Sequence, residues 1–204
     1  MITFACFSCH PPILLPSVGT EEDHRKVKKT LNSLELLSKK FKESKVDTII
    51  ISSPHPDWGF KVPLYFIARD FKGEIQMLKT GLESPTYYFQ LGEKTAKKLK
   101  PDKRYGLIGS GDLSHCLKPD GPYGFHPDGP KFDKSLIKYL KEKDIKNFLQ
   151  LDNYFPHAQD CGLRPFSFIL GILTGAGVNW SPEIISYEGP FGVGYLVANF
   201  KLNN

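Results

Sequence analysis

Three histidines stand where a hydrophobic run gives way to Pro, Gly or Asp. His10 follows the run from Ile2 to Cys9 and precedes Pro11-Pro12, and His55 follows Val46 to Ser53, a run built around Ile49-Ile50-Ile51. His115 closes Gly109-Ser110-Gly111-Asp112-Leu113-Ser114-His115, just beyond the short run Tyr105 to Ile108. Each run reads as a strand, so three segments would deliver an imidazole to one edge of a sheet, and in open α/β sheets the carboxyl edge is where ligands bind. A single histidine at such a place is more often a hydrogen-bonded structural residue than a ligand. Two of them with a carboxylate carry more. That set leaves open positions on non-haem iron(II), so that substrate and oxygen can bind together. His10 and His55 are the candidate imidazoles.

Two acidic residues compete for the carboxylate. Asp160, in Ala158-Gln159-Asp160-Cys161-Gly162-Leu163-Arg164, stands at a helix start, where its simpler role is to cap the following N–H groups. Glu188, in Ser186-Tyr187-Glu188-Gly189-Pro190-Phe191-Gly192, stands at a strand end, where a salt bridge or turn contact is the simpler role. Spacing does not choose between them. The stretch Gly109 to Phe125 is too rich in Gly and Pro for a helix or central strand and reads as a long loop, of the kind that often carries function. Within it His115 could act as general base on a phenolic hydroxyl, with Asp112 orienting the ring or the loop. The plainer alternative is that Asp112 and Ser114 only make turn hydrogen bonds. His126 and His157 read as surface residues and His24 as a helix-face residue. Gly189 to Gly194 lacks the Lys-Ser/Thr ending of a phosphate-binding loop and reads as strand with a tight turn.

Positioning these side chains requires strands alternating with helices. Thr20 to Asp23 forms a Thr-x-x-Asp helix start, and Val27, Leu31, Leu34, Leu37 and Phe41 follow at helical spacing, giving an amphipathic helix that leads into the strand before His55. A second unit runs through a strand at Glu74 to Leu78, a helix from about Thr86 to Lys100 and a buried strand at Tyr105 to Ile108. Asp133 to Lys143 and Leu163 to Leu173 read as further helices, and Ile184 to Phe200 as two strands broken at Gly189-Pro190. The rhythm predicts an α/β fold around a largely parallel sheet.

Composition bounds the function classes. The 204 residues contain no Ser/Gly-rich or charge-block linker, so one domain spanning 1–204 is expected, with ample core from 40% hydrophobic residues including 15 Phe. The net charge of +5 lies largely in Arg25 to Lys45 and Lys94 to Arg104, which read as solvated helix faces without a nucleic-acid-binding motif. Cys6, Cys9, Cys116 and Cys161 lack metal-finger spacing, and Met1 to Leu15 lacks a basic start and is broken by His10-Pro11-Pro12, so a reducing cytoplasm is the expected compartment. No apolar stretch approaches the roughly 20 residues of a membrane span.

The order His10-Pro11-Pro12-Ile13 with Pro16 and Gly19, Ser53-Pro54-His55, Ser110 to His115, Asp120 to Gly124, Cys161-Gly162-Leu163-Arg164 and Ser186 to Tyr195 resembles the class III extradiol ring-cleaving dioxygenase superfamily. Within it the chain is most similar to LigB-like catalytic B subunits, in the branch found beside AmmeMemoRadiSam-type proteins and related to Memo. The resemblance implies a three-layer αβα sandwich around a mixed, mostly parallel sheet. It also implies non-haem Fe(II), and cleavage of a catechol-like aromatic ring by O2. It places His10 and His55 as metal ligands, His115 as base, and the acidic ligand in the region of Asp160 and Cys161. The branch usually has Glu just before the Cys, so Asp160 is one methylene shorter. Memo-like relatives carry a Cys in this region, which makes Cys161 an alternative soft ligand or redox residue. A homo-oligomer or a small partner subunit is also within the family's range.

Two departures bear on activity. The family runs from Ser-Pro-His through a long insertion to Asp-His-Gly and Val-Pro-Leu, whereas here Pro56 leads directly to Asp57-Trp58-Gly59-Phe60-Lys61-Val62-Pro63-Leu64. Trp58 thus stands where the family has a second active-site histidine, and an indole cannot transfer protons as imidazole does. The expectations are therefore an Fe(II) dioxygenase or a catalytically degenerate, Memo-like metal-binding or interaction protein. A third reading is a zinc protein or hydrolase on the same ligands.

Overall fold

A computed structural model describes residues 1–203. In chain order the elements are β1 (Ile2–Ser8), α1 (Glu21–Lys26), α2 (Lys28–Glu43), β2 (Thr48–Ser53), α3 (Trp58–Ile67), β3 (Glu74–Lys79), α4 (Pro85–Ala96), β4 (Tyr105–Ser110), α5 (Asp128–Glu142), α6 (Ile145–Phe148), α7 (Leu151–Tyr154), α8 (Leu163–Gly175), β5 (Asn179–Glu188) and β6 (Tyr195–Asn203). The strands form one six-stranded sheet among the described residues, in the order β3-β2-β4-β1-β6-β5. Strands β3, β2, β4 and β1 run parallel, and β6 and β5 add antiparallel pairs. The mixed, mostly parallel sheet expected of the sequence is therefore present.

Alternation along each strand sends side chains to two cores, one per face. Phe4 and Cys6 of β1, Ile49 and Ile51 of β2, Ile108 of β4 and Val197 of β6 meet Leu34, Leu37 and Phe41 of α2 with Val62 and Ile67 of α3. On the other face Phe7, Ile50, Leu107 and Leu196 meet Tyr88 of α4, Leu136 of α5, and Phe166 and Ile169 of α8. The Phe7 and Phe166 rings stack at 4.1 Å. The result is a three-layer αβα sandwich. β2 and β4 are buried throughout, as expected for strands covered on both faces, whereas β3 at the sheet edge is largely exposed.

Several boundaries differ from the pattern reading. The Thr20–Asp23 start is a reciprocal capping box, but the amphipathic helix divides at Val27 (φ −107°, ψ 15°) into α1 and α2. α5 begins at Asp128 rather than Asp133, because Gly129 and Pro130 fit a first turn, where a missing N–H costs nothing. α4 ends at Ala96 rather than near Lys100, its last turn tightening so that Lys98 N–H donates to Thr95 O at 2.9 Å and Leu99 N–H to Ala96 O at 3.2 Å. α3 carries Pro63 in its interior, which masked it as a helix. No helix among the described residues is long and apolar enough to cross a membrane.

Candidate metal centre

β2, β4 and β1 are parallel neighbours, so their carboxyl ends lie on one edge of the sheet. His55 follows β2, the segment Gly111 to His115 follows β4, and His10 follows β1. The geometry brings two of the three histidines together directly: the His10 and His55 rings lie 5.2 Å apart, nearly perpendicular. The third donor beside them is sulfur. Ligand atoms of His10, His55 and Cys161 all lie within 4.8 Å of one another, and those of Asp112, His115 and Cys161 do the same, with Cys161 shared by both groups.

Cys161 reaches this place because two backbones nearly touch. A Cβ on Gly111 would fall 2.2 Å from the Gly162 Cα, so only glycine allows the end of β4 to meet the start of α8 this closely. The approach is locked by Cys161 N–H donating to Asp112 O at 3.2 Å and Asp112 N–H donating to Cys161 Sγ at 3.1 Å. Sγ then lies 3.5 Å from His10 Nε2. Burial and the neighbouring Asp112 carboxyl push the Cys161 thiol well above its ordinary value, so a metal binding there must release the proton.

His10 is buried and its tautomer is set by its neighbours. Pro63 has no N–H to give the Gly59 carbonyl four residues earlier in α3, and the Ser110 hydroxyl donates to that carbonyl instead. With its only proton committed, Ser110 Oγ accepts from His10 Nδ1–H at 2.9 Å. Nε2 is left with its lone pair towards Cys161, as a metal ligand requires. The His10 backbone N–H donates to Asp112 Oδ1 at 2.9 Å. Burial, with His55 adding to it, lowers the His10 pKa to about 3, so the ring is neutral at pH 7. His55 itself is exposed, which opens the cluster to solvent.

Around this cluster, Asp112 is buried and its carboxyl is pushed up to about 6 by desolvation, against the pull of His115 and the His10 N–H. The His115 pKa is lowered by burial and partly restored by Asp112. Its backbone N–H donates to Ala158 O at 3.2 Å, its ring meets Tyr123 edge-on at 5.7 Å, and its Nδ1 is buried without a protein partner. An imidazole with an unfilled hydrogen bond therefore stands beside the cluster.

Each of the two candidate carboxylates has one oxygen held in a structural hydrogen bond. Asp160 Oδ2 accepts from Leu163 N–H at 2.8 Å, the capping role, and burial raises its carboxyl to about 6. Gln159, with φ 55°, turns the chain just before it. Glu188 Oε1 accepts from the Thr30 backbone N–H at 2.8 Å and from its hydroxyl, docking β5 onto α2. Cys161, the alternative donor, thus stands where the resemblance put a carboxylate. Trp58 opens α3 with 41% of its surface exposed and Lys61 Nζ 5.0 Å over its ring. The roles of Ser110, Gly59 and Pro63 had no signal in spacing, since they arise from contacts between β4 and α3.

Comparison with known proteins places this geometry. The family described as the catalytic LigB subunit of aromatic ring-opening dioxygenase matches residues 55–198, a stretch that includes His55, Asp112, His115 and Cys161. Protein CA_C1420 of Clostridium acetobutylicum is 29% identical over 264 aligned positions, covering 94% of this chain and 56% of the relative. The chain therefore spans about half the length of that relative. The crystal structure of uncharacterized protein JW3007 from Escherichia coli K12 shares the fold, with a TM-score of 0.64 at 15% identity over 97% of this chain and 99% of that one.

Proposed function

The chain belongs to the LigB family of catalytic subunits of aromatic ring-opening dioxygenases, and on that premise we propose that it opens a catechol-like ring with O2 at a metal held by His10, His55 and Cys161. The observation that carries the reading is the convergence of that donor set at one sheet edge with a neutral His115 whose buried Nδ1 has no hydrogen-bond partner. The donors fit a metal: a neutral imidazole fixed by Ser110, a second imidazole open to solvent, and a thiol that ionises on binding. Fe(II), when bound, supplies open positions for substrate and O2. Zinc is the alternative occupant.

The chain's own residues supply the rest. His115, neutral at pH 7, takes the proton of one ring hydroxyl at the ring nitrogen that lies within 4.8 Å of Cys161 Sγ, and the Asp112 carboxylate stabilises the resulting imidazolium. Tyr123, edge-on to His115, offers an aromatic wall to a flat substrate. Both atoms of O2 enter the product and the ring supplies the electrons, so no further reductant is consumed. Loading the chain anaerobically with Fe(II) and following O2 uptake with catechols tests this: uptake that His115→Ala abolishes with iron retained supports it, and no uptake with iron bound contradicts it. Trp58→His should raise uptake by about 10²-fold or more if a second imidazole is what the site lacks.

Sulfur in place of the carboxylate, together with Trp58, favours a second reading. On it the chain is a Memo-like metal-binding protein without ring cleavage, holding zinc or another metal that prefers softer donors. Tight metal binding with no O2 uptake even in Trp58→His would select this alternative.

A further inference from the structure

A second cluster of metal-binding side chains lies outside that centre. Ligand atoms of His126, Asp128 and His157 all fall within 4.8 Å of one another, and none of the three belongs to the cluster around Cys161. The sequence pattern reads both histidines as ordinary surface residues, yet 31 positions apart they meet with ring centroids 4.7 Å from each other. Between them stands one carboxylate. His126 Nδ1 accepts the Asp128 backbone N–H at 3.1 Å and lies 3.6 Å from Asp128 Oδ2, which leaves Nε2 as the ring nitrogen for a cation, and the same Oδ2 accepts the His157 backbone N–H at 3.2 Å. The side chains are partly exposed, 40% for His126 and 18% for Asp128, so a cation can enter from solvent without opening the core.

We propose that His126, Asp128 and His157 form a second metal site for a divalent cation of the zinc class, which clamps the loop carrying His115 to the segment carrying Cys161. Two imidazoles and a carboxylate are donors that zinc accepts, and three protein ligands leave a position for water. The site's place in the chain gives the cation its role. His126 N–H donates to Cys116 O, one residue beyond His115, at 3.1 Å. His157 immediately precedes Ala158, whose carbonyl accepts from His115 N–H at 3.2 Å and from Ser114 Oγ–H at 2.7 Å. A cation joining His126 to His157 therefore ties together the two segments that deliver His115 and Cys161. The inference does not depend on the reaction proposed above.

Zinc(II) alone is the probe, titrated into the metal-free full chain against a chromophoric chelator. Wild type should take two zinc ions per chain, His157→Ala and His126→Ala one each, His55→Ala one, and the His55→Ala/His157→Ala pair none. In the His55→Ala background saturating zinc should raise Tm by roughly 5 °C, and the added His157→Ala should remove that rise. Unchanged zinc stoichiometry and unchanged zinc-dependent Tm in both His126→Ala and His157→Ala would overturn the second site while leaving the first intact. Zinc lost on His157→Ala but not on His55→Ala would uphold the second site and count against the first.

Discussion

A serine hydroxyl has one proton to give, and at Ser110 that proton goes to the Gly59 carbonyl that Pro63 leaves without a helical donor, so His10 must present Nδ1–H to the serine and Nε2 to the metal side. Ser110→Ala should therefore leave two buried polar groups unpaired, destabilise the fold by about 1–3 kcal/mol, and weaken metal binding roughly 10–100-fold. Urea unfolding and a competitive metal titration measure the two effects, and an unchanged metal affinity would remove Ser110 from the relay. His10, His55, Asp112 and His115 were legible as candidates because each follows a hydrophobic run and their combination, rather than any one position, suits a metal centre. The preference for Cys161 over Asp160 in the proposed centre was not, although Cys161 stood as the alternative ligand. It depends on which of two adjacent side chains faces His10 after the left-handed turn at Gln159, and on a helix cap that claims Asp160.

At the scale of elements, the loop after β4 is held far more firmly than its Gly and Pro content suggests. Leu113 N–H donates to Gly194 O at 2.8 Å, Gly194 N–H returns to Ser114 O at 2.8 Å, and Ser114 N–H donates to Asp133 Oδ1 on α5 at 2.8 Å. Asp133 also accepts from Tyr187 O–H of β5 at 2.6 Å, yet burial raises its pKa to about 7. A carboxyl raised in the folded state binds its proton more tightly there than in the unfolded chain. Its contribution is thus most favourable below pH of about 4 and is lost as pH climbs to about 7, at up to about 1.4 kcal/mol per unit. Urea midpoints across that window should fall less steeply in Asp133→Asn than in wild type, and equal slopes would contradict the assignment. Gly111→Ala, whose Cβ would meet Gly162 Cα, should cost roughly 1–3 kcal/mol and displace Cys161, read as weaker metal binding. Strand and helix order was readable because short apolar runs such as Ile49-Ile50-Ile51 alternate with stretches whose apolar residues recur at helical spacing. α3 was hidden by Pro63, and its tolerance of proline depends on Ser110, which lies 47 residues away in the chain.

For the whole molecule, the strand order gathers β2, β4 and β1 side by side, so that three separated segments form one centre at the carboxyl edge. The largely parallel sheet was expected from the βαβ rhythm and the αβα sandwich from the family resemblance, and the two agree because buried parallel strands need helices on both faces. The shortened segment after His55 goes with an open centre: His55 and Trp58 are both exposed, and the 264-position alignment to the Clostridium acetobutylicum relative exceeds the 204 residues of this chain, so that relative carries segments absent here. In the proposed centre His10, His55 and Cys161 share one metal. X-ray absorption on Fe(II)-loaded chain carrying His157→Ala, to keep the second cluster silent, reads the bound atoms directly. One sulfur with nitrogen neighbours, the sulfur lost in Cys161→Ser, is the expected result; a spectrum of nitrogen and oxygen alone, altered by Asp160→Asn but not by Cys161→Ser, would contradict it.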